Sequence, residues 1–258
     1  MNSDKQKLST VILAAGKGTR MKNPSMAKVM AELAGKPLIG HVADMTRRLG
    51  SDLDIAVVGY KKEAVIEYLS ANYNNIEFAV QNEQLGTGHA VDQAESLLRN
   101  FAGNVLILCG DVPLLTAATL EKFIETHTAA AADVSVLSTI VDDPAGYGRI
   151  VRDKDGAFTK ITEQKDASEE EKLVKEINSG VYVLSAEKLF SSLKQVSNSN
   201  AQGEYYLTDI ISILRDKGAT VRAFAGATFD ELQGINSPED LKRAEAYYNL
   251  TKNNEDTV

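Results

Sequence analysis

Thr10-Val11-Ile12-Leu13-Ala14-Ala15-Gly16-Lys17-Gly18-Thr19-Arg20-Met21, residues 10–21, is the stretch on which the fold turns. Its first half is short, continuous and apolar, the composition of a strand covered by helices on both faces. Its second half breaks at once into glycine and charge, so the strand ends in a turn. Similar strands recur at DIAVVGY (54–60), IEFAV (76–80) and NVLILCG (104–110). Helix-like stretches separate them, over about 37–49, 61–73 and 88–100. This alternation predicts an α/β, Rossmann-like domain: a twisted, mostly parallel sheet with right-handed crossovers, flanked by helices. Ligands of such sheets gather beyond the carboxyl ends of the strands, where strand order reverses. The residues after TVIL and after NVLIL are therefore the first candidates for chemistry.

The pattern changes after Asp133. DVSVLSTIV (133–141) reads as another strand, and GYGRIVRDKDGAFTKITE (146–163) as an inserted β-hairpin turning at Asp155-Gly156. Charge dominates residues 166–176, a solvated loop or helix in which Glu169–Lys172 is an exposed face. SGVYVLS (179–185) returns to strand; SAEKLFSSLKQV (185–196) and EYYLTDIISILRDKG (204–218) read as helices. SPEDLKRAEAYYNL (237–250) carries Ser237 as N-cap and Pro238 at the first helical position, and the polar tail TKNNEDTV (251–258) is expected to fray. There is no internal repeat and no Pro- or Gly-rich linker. Residues 1–258 are read as one domain, with its core over about 8–250.

Composition narrows the function. A net charge of −8 and a pI near 5.1 argue against phosphate-driven binding to nucleic acid. A few local cations can still bind a nucleoside triphosphate. The single Cys109 cannot form an internal disulfide, the N-terminus is polar, and no apolar run approaches the roughly 18 residues of a membrane span. The expectation is a cytoplasmic protein with no membrane partner.

Three stretches invite chemistry. In LAAGKGTR (13–20), two small residues and two glycines let the backbone approach a ligand and cradle phosphate, while Arg20 and Lys28 supply positive charge. Read alone, the stretch points first to phosphate or nucleotide binding, with a structural turn as the alternative. It is neither a Walker A loop nor G-x-G-x-x-G, since Met21 stands where the third glycine would be. QNEQLGTGHA (81–90) offers amides suited to a base edge, or it is an ordinary strand-to-helix loop. His89 reads as a packing or capping residue, because His41, His89 and His127 lack metal-ligand spacing. In CGDVPL (109–114), Asp111 closes the most apolar strand, where it is either a magnesium ligand or a helix cap. Cys109 reads as buried filler without an activated thiolate.

Together, LAAGKGTRM, GKP, QLGTGHAV, GDVPL, GYGRIVR, TEQKDA, EINSG, NAQGEYYLTDII and GIN occur in this order. The chain so resembles the uridyltransferase domain of bacterial UDP-N-acetylglucosamine pyrophosphorylases, usually the first half of a bifunctional enzyme. The resemblance implies transfer of a uridylyl group from UTP to N-acetylglucosamine 1-phosphate with Mg²⁺. Leu13, Ala14, Ala15, Gly16, Gly18, Gln81, Gly86, Thr87 and Gly110 would then bind nucleotide, and Arg20 and Lys28 the triphosphate. Asp111 and Asn236 would hold the metal. Gly148, Glu163 and Asn178 would contact the sugar, with Tyr205 walling its pocket.

Two positions depart from the family pattern: Ala27 where a Pro usually precedes the lysine, and Gln233 where Glu is common. No hexapeptide repeats of an acetyltransferase β-helix follow, so acetyl transfer is not expected, and a monomer is. The alternatives are another sugar 1-phosphate, glucose 1-phosphate first, or a non-catalytic nucleotide-sugar sensor.

Overall fold

The computed structural model describes residues 7–255. Among them eleven strands form: β1 (Leu8–Ala14), β2 (Glu32–Leu33), β3 (Lys36–Pro37), β4 (Leu53–Val58), β5 (Ile76–Val80), β6 (Asn104–Cys109), β7 (Val134–Ile140), β8 (Arg149–Arg152), β9 (Phe158–Thr162), β10 (Glu176–Ser185) and β11 (Val221–Ala225). The main sheet runs β11-β7-β10-β6-β1-β4-β5. β1 lies parallel to both β4 and β6, β4 to β5, and β11 to β7. Along this path β10 is the one antiparallel strand, wedged between β6 and β7, and β8 and β9 add antiparallel pairs at its side. The mostly parallel sheet expected from the sequence is present, and β1 and β6 are neighbours at its centre. Their carboxyl ends, Ala14 and Cys109, therefore open side by side.

The helices are α1 (Leu38–Leu49), α2 (Lys62–Asn72), α3 (Thr87–Asp92), α4 (Glu95–Leu98), α5 (Ala117–Ala129), α6 (Glu169–Lys172), α7 (Ala186–Leu193), α8 (Ile210–Asp216), α9 (Phe229–Leu232) and α10 (Pro238–Glu255). Successive strand residues face opposite sides. Val11, Ile55 and Ile107 accordingly join one core with Leu189 of α7 and Ile210 of α8. Ile12, Ala56 and Leu106 join the other with Ile39 and Val42 of α1 and Phe123 of α5. Burial on both faces is why the strands read as continuous apolar runs. A third, small core joins Ala31, Leu33 and Leu38 to Ile235 and to Ala244 of α10.

β8 and β9 form the inserted hairpin, with Gly156 at φ +80° in its turn and Gly156 N–H donating to Asp153 O at 3.0 Å. The hairpin is tied back to the sheet where Arg149 pairs with Ile177 of β10.

Several boundaries differ from expectation, each for a local reason. The helix expected over 88–100 is two pieces, because Gln93 and Ala94 N–H groups bond three residues back, to Ala90 and Val91. That tightening turns both Val91 and Ala94 into the core, where neither is exposed. Glu204–Tyr206 are extended rather than helical: Tyr205 N–H donates to Leu85 O (2.8 Å), and its carbonyl accepts from Gly88 N–H (2.8 Å). Ser237 caps α10 as expected, its Oγ accepting from Asp240 N–H at 3.1 Å, but the helix continues to Glu255. The end of the tail expected to fray, residues 256–258, lies outside the described residues, as do residues 1–6. β11 and α9 were not anticipated; both are short. Among the described residues no helix is long and apolar enough to cross a membrane.

Candidate active site

At the end of β1 the chain leaves the sheet through Ala15, whose carbonyl accepts from Tyr60 N–H at 3.1 Å. A Cβ added at Gly16 would meet no protein atom, so the space beside it belongs to the cleft. Gly18 stands at φ +59°, and a Cβ there would fall 2.4 Å from Lys28 Cβ. That close approach packs the lysine stem against the loop and fixes where its ammonium can reach. The cleft beyond β1 and β6 has a volume of about 280 Å³. Of the sequence-assigned residues, Leu13, Ala14, Ala15, Gly16, Lys28, Gln81, Gly86, Thr87 and Asp111 line it together, joined by Gln84, Cys109 and Glu204.

Gln81 directly follows β5 and is 3% exposed. Its Nε2 lies 3.1 Å from Gly86 O and 3.1 Å from His89 Nδ1, which leaves Oε1 without a hydrogen-bond partner among the described residues. His89 thus orients the glutamine instead of merely packing. Gly86 has φ +116°, and a Cβ on it would sit 2.6 Å from Tyr205 O, so only glycine lets these two loops touch. Thr87 Oγ1 accepts from Leu207 N–H at 3.1 Å, a second tie between the same loops.

At the cleft mouth, the Lys28 ammonium donates to Asp111 Oδ2 and, at 2.9 Å, to Asn236 Oδ1. Asn236 Nδ2 is held by Gly234 O (3.1 Å), so the amide oxygen is the atom turned to the cation. Ile235 N–H donates to Asp111 O (2.9 Å), zipping the two loops together. Asp240, in the first turn of α10, accepts at Oδ2 from the N–H groups of Asn236 (3.0 Å) and Ser237 (2.9 Å). Gln233 is 7% exposed and its amide donates to Asp240 Oδ1 (3.4 Å). Burial alone would raise the Asp240 carboxyl; the hydrogen bonds from Arg243, Asn236 N–H and Ser237, with the Arg243 charge, bring it below the ordinary range. Burial pushes the Cys109 thiol up to about 12, with Asp111 adding to the effect, so it is no thiolate nucleophile.

A second group assembles on β10 and the hairpin. A Cβ at Gly148 would lie 3.5 Å from both Asn178 Cβ and Glu163 Oε2, which places these three residues in one cluster. Asn178 Nδ2 donates to Tyr182 OH (2.8 Å), and its Oδ1 accepts from Gly180 N–H (3.0 Å). A bulge between Asn178 and Val181 makes this local turn possible. Arg149 is 1% exposed and bonds Gln164 Oε1 (2.7 Å) and the Tyr147 carbonyl, bracing the Gly146–Gly148 turn. Thr208 Oγ1 donates to Glu163 Oε1 (3.2 Å), and Tyr206 OH to Asp166 Oδ2 (3.0 Å). Burial raises the Glu163 carboxyl above its usual range; Thr208 opposes this, while Asp209, Asp166 and Glu204 add to it. The result is an acceptor-rich wall suited to hydroxyl donors.

Three assigned residues stand apart. Arg20 is exposed, without an ion pair among the described residues. Gly110 is buried behind Leu13, where a Cβ would meet Leu13 O at 3.0 Å, so it serves packing between β1 and β6. Tyr205 lies on the Gln81 side, its ring 6.4 Å from that of His89. Sequence reading missed Thr208 and Asp240 as site residues. Thr208 was visible inside EYYLTDII but read as helix, and Asp240 belongs to an S-x-x-D capping signature whose second role needs the fold. Among the described residues no group of three or more His, Cys, Asp or Glu could hold a metal.

A family model described as "Nucleotidyl transferase" matches residues 9–253. The chain is 52% identical over 236 residues to "Bifunctional protein GlmU" of an Exiguobacterium species, covering 92% of this chain and 51% of that protein. It is 50% identical over 237 residues to the protein of the same name from Bacillus velezensis, again covering 92% and 51%. The chain spans about half the length of the curated relatives it matches. Among solved structures, a UDP-glucose pyrophosphorylase complexed with UDP-glucose aligns with a TM-score of 0.76 at 18% identity, covering 95% of this chain and 99% of that one. A putative glucose-1-phosphate thymidylyltransferase from Bacillus anthracis aligns with a TM-score of 0.72 at 21% identity, covering 93% and 94%. These structures share the fold; the sequence match over residues 9–253 is what shows that this chain belongs to the nucleotidyl transferase family.

Proposed function

We propose that the chain transfers a uridylyl group from UTP to N-acetylglucosamine 1-phosphate, giving UDP-N-acetylglucosamine and pyrophosphate. The observation that carries this reading is the convergence of Lys28, Asp111 and Asn236 at the mouth of a glycine-lined cleft. The cluster of Gly148, Glu163 and Asn178 supports a sugar on the hairpin side. The ordered motifs from LAAGKGTRM to GIN support the same donor and acceptor.

Gln81 Oε1 is free to accept from the uracil N3–H, which cytosine lacks, and Gly86-Thr87 would close over the base. Gly16 leaves room for the backbone to meet the ribose and phosphates. Arg20 and Lys28 would bind the triphosphate. Glu163 and Asn178 would take sugar hydroxyls and the N-acetyl group, and Thr208 orients Glu163.

The Asp111 carboxylate and the Asn236 amide oxygen are hard oxygen donors already turned to a cation, which fits Mg²⁺ bound by one carboxylate plus substrate phosphates. Once bound there, Mg²⁺ supplies neutralisation of phosphate charge. An oxygen of the sugar phosphate, anionic at neutral pH, attacks the α-phosphorus of UTP. The new P–O bond forms as the bond to the β-phosphate oxygen breaks, and pyrophosphate leaves with those electrons. No covalent intermediate with the protein is needed, so catalysis is positioning plus electrostatic stabilisation. The lone Cys109, which cannot form an internal disulfide, supports a cytoplasmic setting.

The test is pyrophosphate release from UTP with N-acetylglucosamine 1-phosphate, with glucose 1-phosphate and galactose 1-phosphate as competitors, with and without Mg²⁺. Metal-dependent release favouring the N-acetylated sugar is expected, and Asp111→Ala is expected to lower kcat at least about a hundredfold. Release with glucose 1-phosphate alone would overturn the acceptor assignment. Near-normal turnover of Asp111→Ala would remove the metal role.

A further inference from the structure

The Lys28 ammonium occupies the place a metal would be expected to take: it bonds both Asp111 Oδ2 and Asn236 Oδ1. The arrangement is built. Gly234 O fixes the Asn236 amide with its oxygen inward, and Gly18 packs against the Cβ, Cγ and Cδ of Lys28. The Lys28 and Asp111 side chains are each only 15% exposed, so little water remains to screen the pair. Removing either partner from such a pair leaves an uncompensated charge. A divalent ion entering beside the ammonium would meet its repulsion, and one entering in its place must send it elsewhere. Lys28 also lines the cleft beside Gly16, so rotation about the terminal bonds of its side chain, beyond the packed Cβ–Cδ stretch, carries the ammonium toward where phosphates would lie.

We propose that Lys28 is a resident counter-cation of the Asp111–Asn236 pair, displaced when a nucleoside triphosphate gives it a new anionic partner, so that divalent ion and nucleotide load as a unit. The inference rests on the metal assignment made above. It adds that the free protein has low affinity for the ion alone, and that nucleotide and metal each raise the affinity for the other by the same factor.

The experiment is titration of the folded full chain with Mn²⁺ in the absence of nucleotide, read by the electron paramagnetic resonance of the free ion. Lys28→Met keeps the stem and deletes the charge; Lys28→Gln is a second neutral variant should the first fold poorly, as judged by circular dichroism. Both neutral variants are expected to bind Mn²⁺ alone about 5- to 150-fold more tightly than wild type, the usual span of a coupling between sites. Lys28→Arg, still cationic, is expected to stay as weak as wild type. Equal or weaker Mn²⁺ binding by the neutral variants would overturn the proposal. Asp111→Asn added to Lys28→Met is expected to abolish the gain. Tight binding that survives in that double variant would place the ion elsewhere, overturning the metal assignment on which the inference stands.

Discussion

Asp240→Ala removes one acceptor that organises the whole Gly234–Ser237 turn. Its Oδ2 receives the N–H groups of Asn236 and Ser237 at 3.0 and 2.9 Å, and the carboxylate also meets Gln233 and Arg243. Hydrogen bonds to a charged acceptor are worth about 1.5–3 kcal/mol each. The side chain is 16% exposed, so water replaces part of the loss, and the alanine variant should lose about 2–4 kcal/mol of stability. Denaturant unfolding followed by circular dichroism measures this. The sign with pH follows from the depressed carboxyl: its contribution is full above the unfolded value near 3.9 and is lost as pH falls through the lower folded value. Wild type and variant should therefore converge in stability as pH drops below about 4. Freed from Asp240, Asn236 should also hold metal less well, raising the Mg²⁺ concentration needed for half-maximal pyrophosphate release. A stability change under about 0.5 kcal/mol at neutral pH, with an unchanged Mg²⁺ requirement, would refute the reasoning.

Three further perturbations follow from the geometry. Gly86→Ala puts a Cβ 2.6 Å from a backbone oxygen at φ +116°, so it should destabilise by about 2 kcal/mol or more and raise the KM for UTP; a thermal melt and steady-state kinetics report both, and an unchanged melt would sink the account. Glu163 has a raised carboxyl, so once pH exceeds its unfolded value its ionised form costs folded stability up to the folded value and beyond. Glu163→Gln should then melt higher at neutral pH while raising KM for the sugar phosphate, whereas a lower melting temperature would contradict the assignment. Ala27 sits at φ −64°, the angle proline imposes, so Ala27→Pro should stabilise by about 0.4–1 kcal/mol in chemical denaturation; destabilisation would mean that the buried site cannot take the ring.

The doubly covered sheet was legible because burial on both faces leaves its mark on every residue of β1, β4 and β6. The nucleotide half of the site was legible for a related reason: its glycines cluster just after strand ends, where Gly18 and Gly86 admit a close neighbour and Gly16 borders open space. The sugar half was harder to see. Glu163 follows β9, Asn178 lies on β10 and Thr208 in the turn before α8, and only tertiary pairing brings them together. Gly110 was assigned to nucleotide by the family resemblance, and its missing side chain makes room for Leu13 O. The extended Glu204–Tyr206 segment read as helix because the apolar spacing continues through it; its hydrogen bonds to Leu85 and Gly88 lie more than a hundred residues away in sequence. Long-range backbone pairing leaves no periodic trace.

α10 begins two residues after Asn236 and runs 18 residues, a rod of about 27 Å. Asp240 in its first turn grips the loop that carries Asn236, and Ala244 rests on the small core shared with the segment around Lys28. The rod is anchored along its length, with Leu241, Ala244 and Tyr248 on that core and the Tyr248 ring 5.8 Å from that of His41. The helix is therefore a splint: the same packing that holds it straight holds its first turn, and with it the Asn236 oxygen, in register with Asp111.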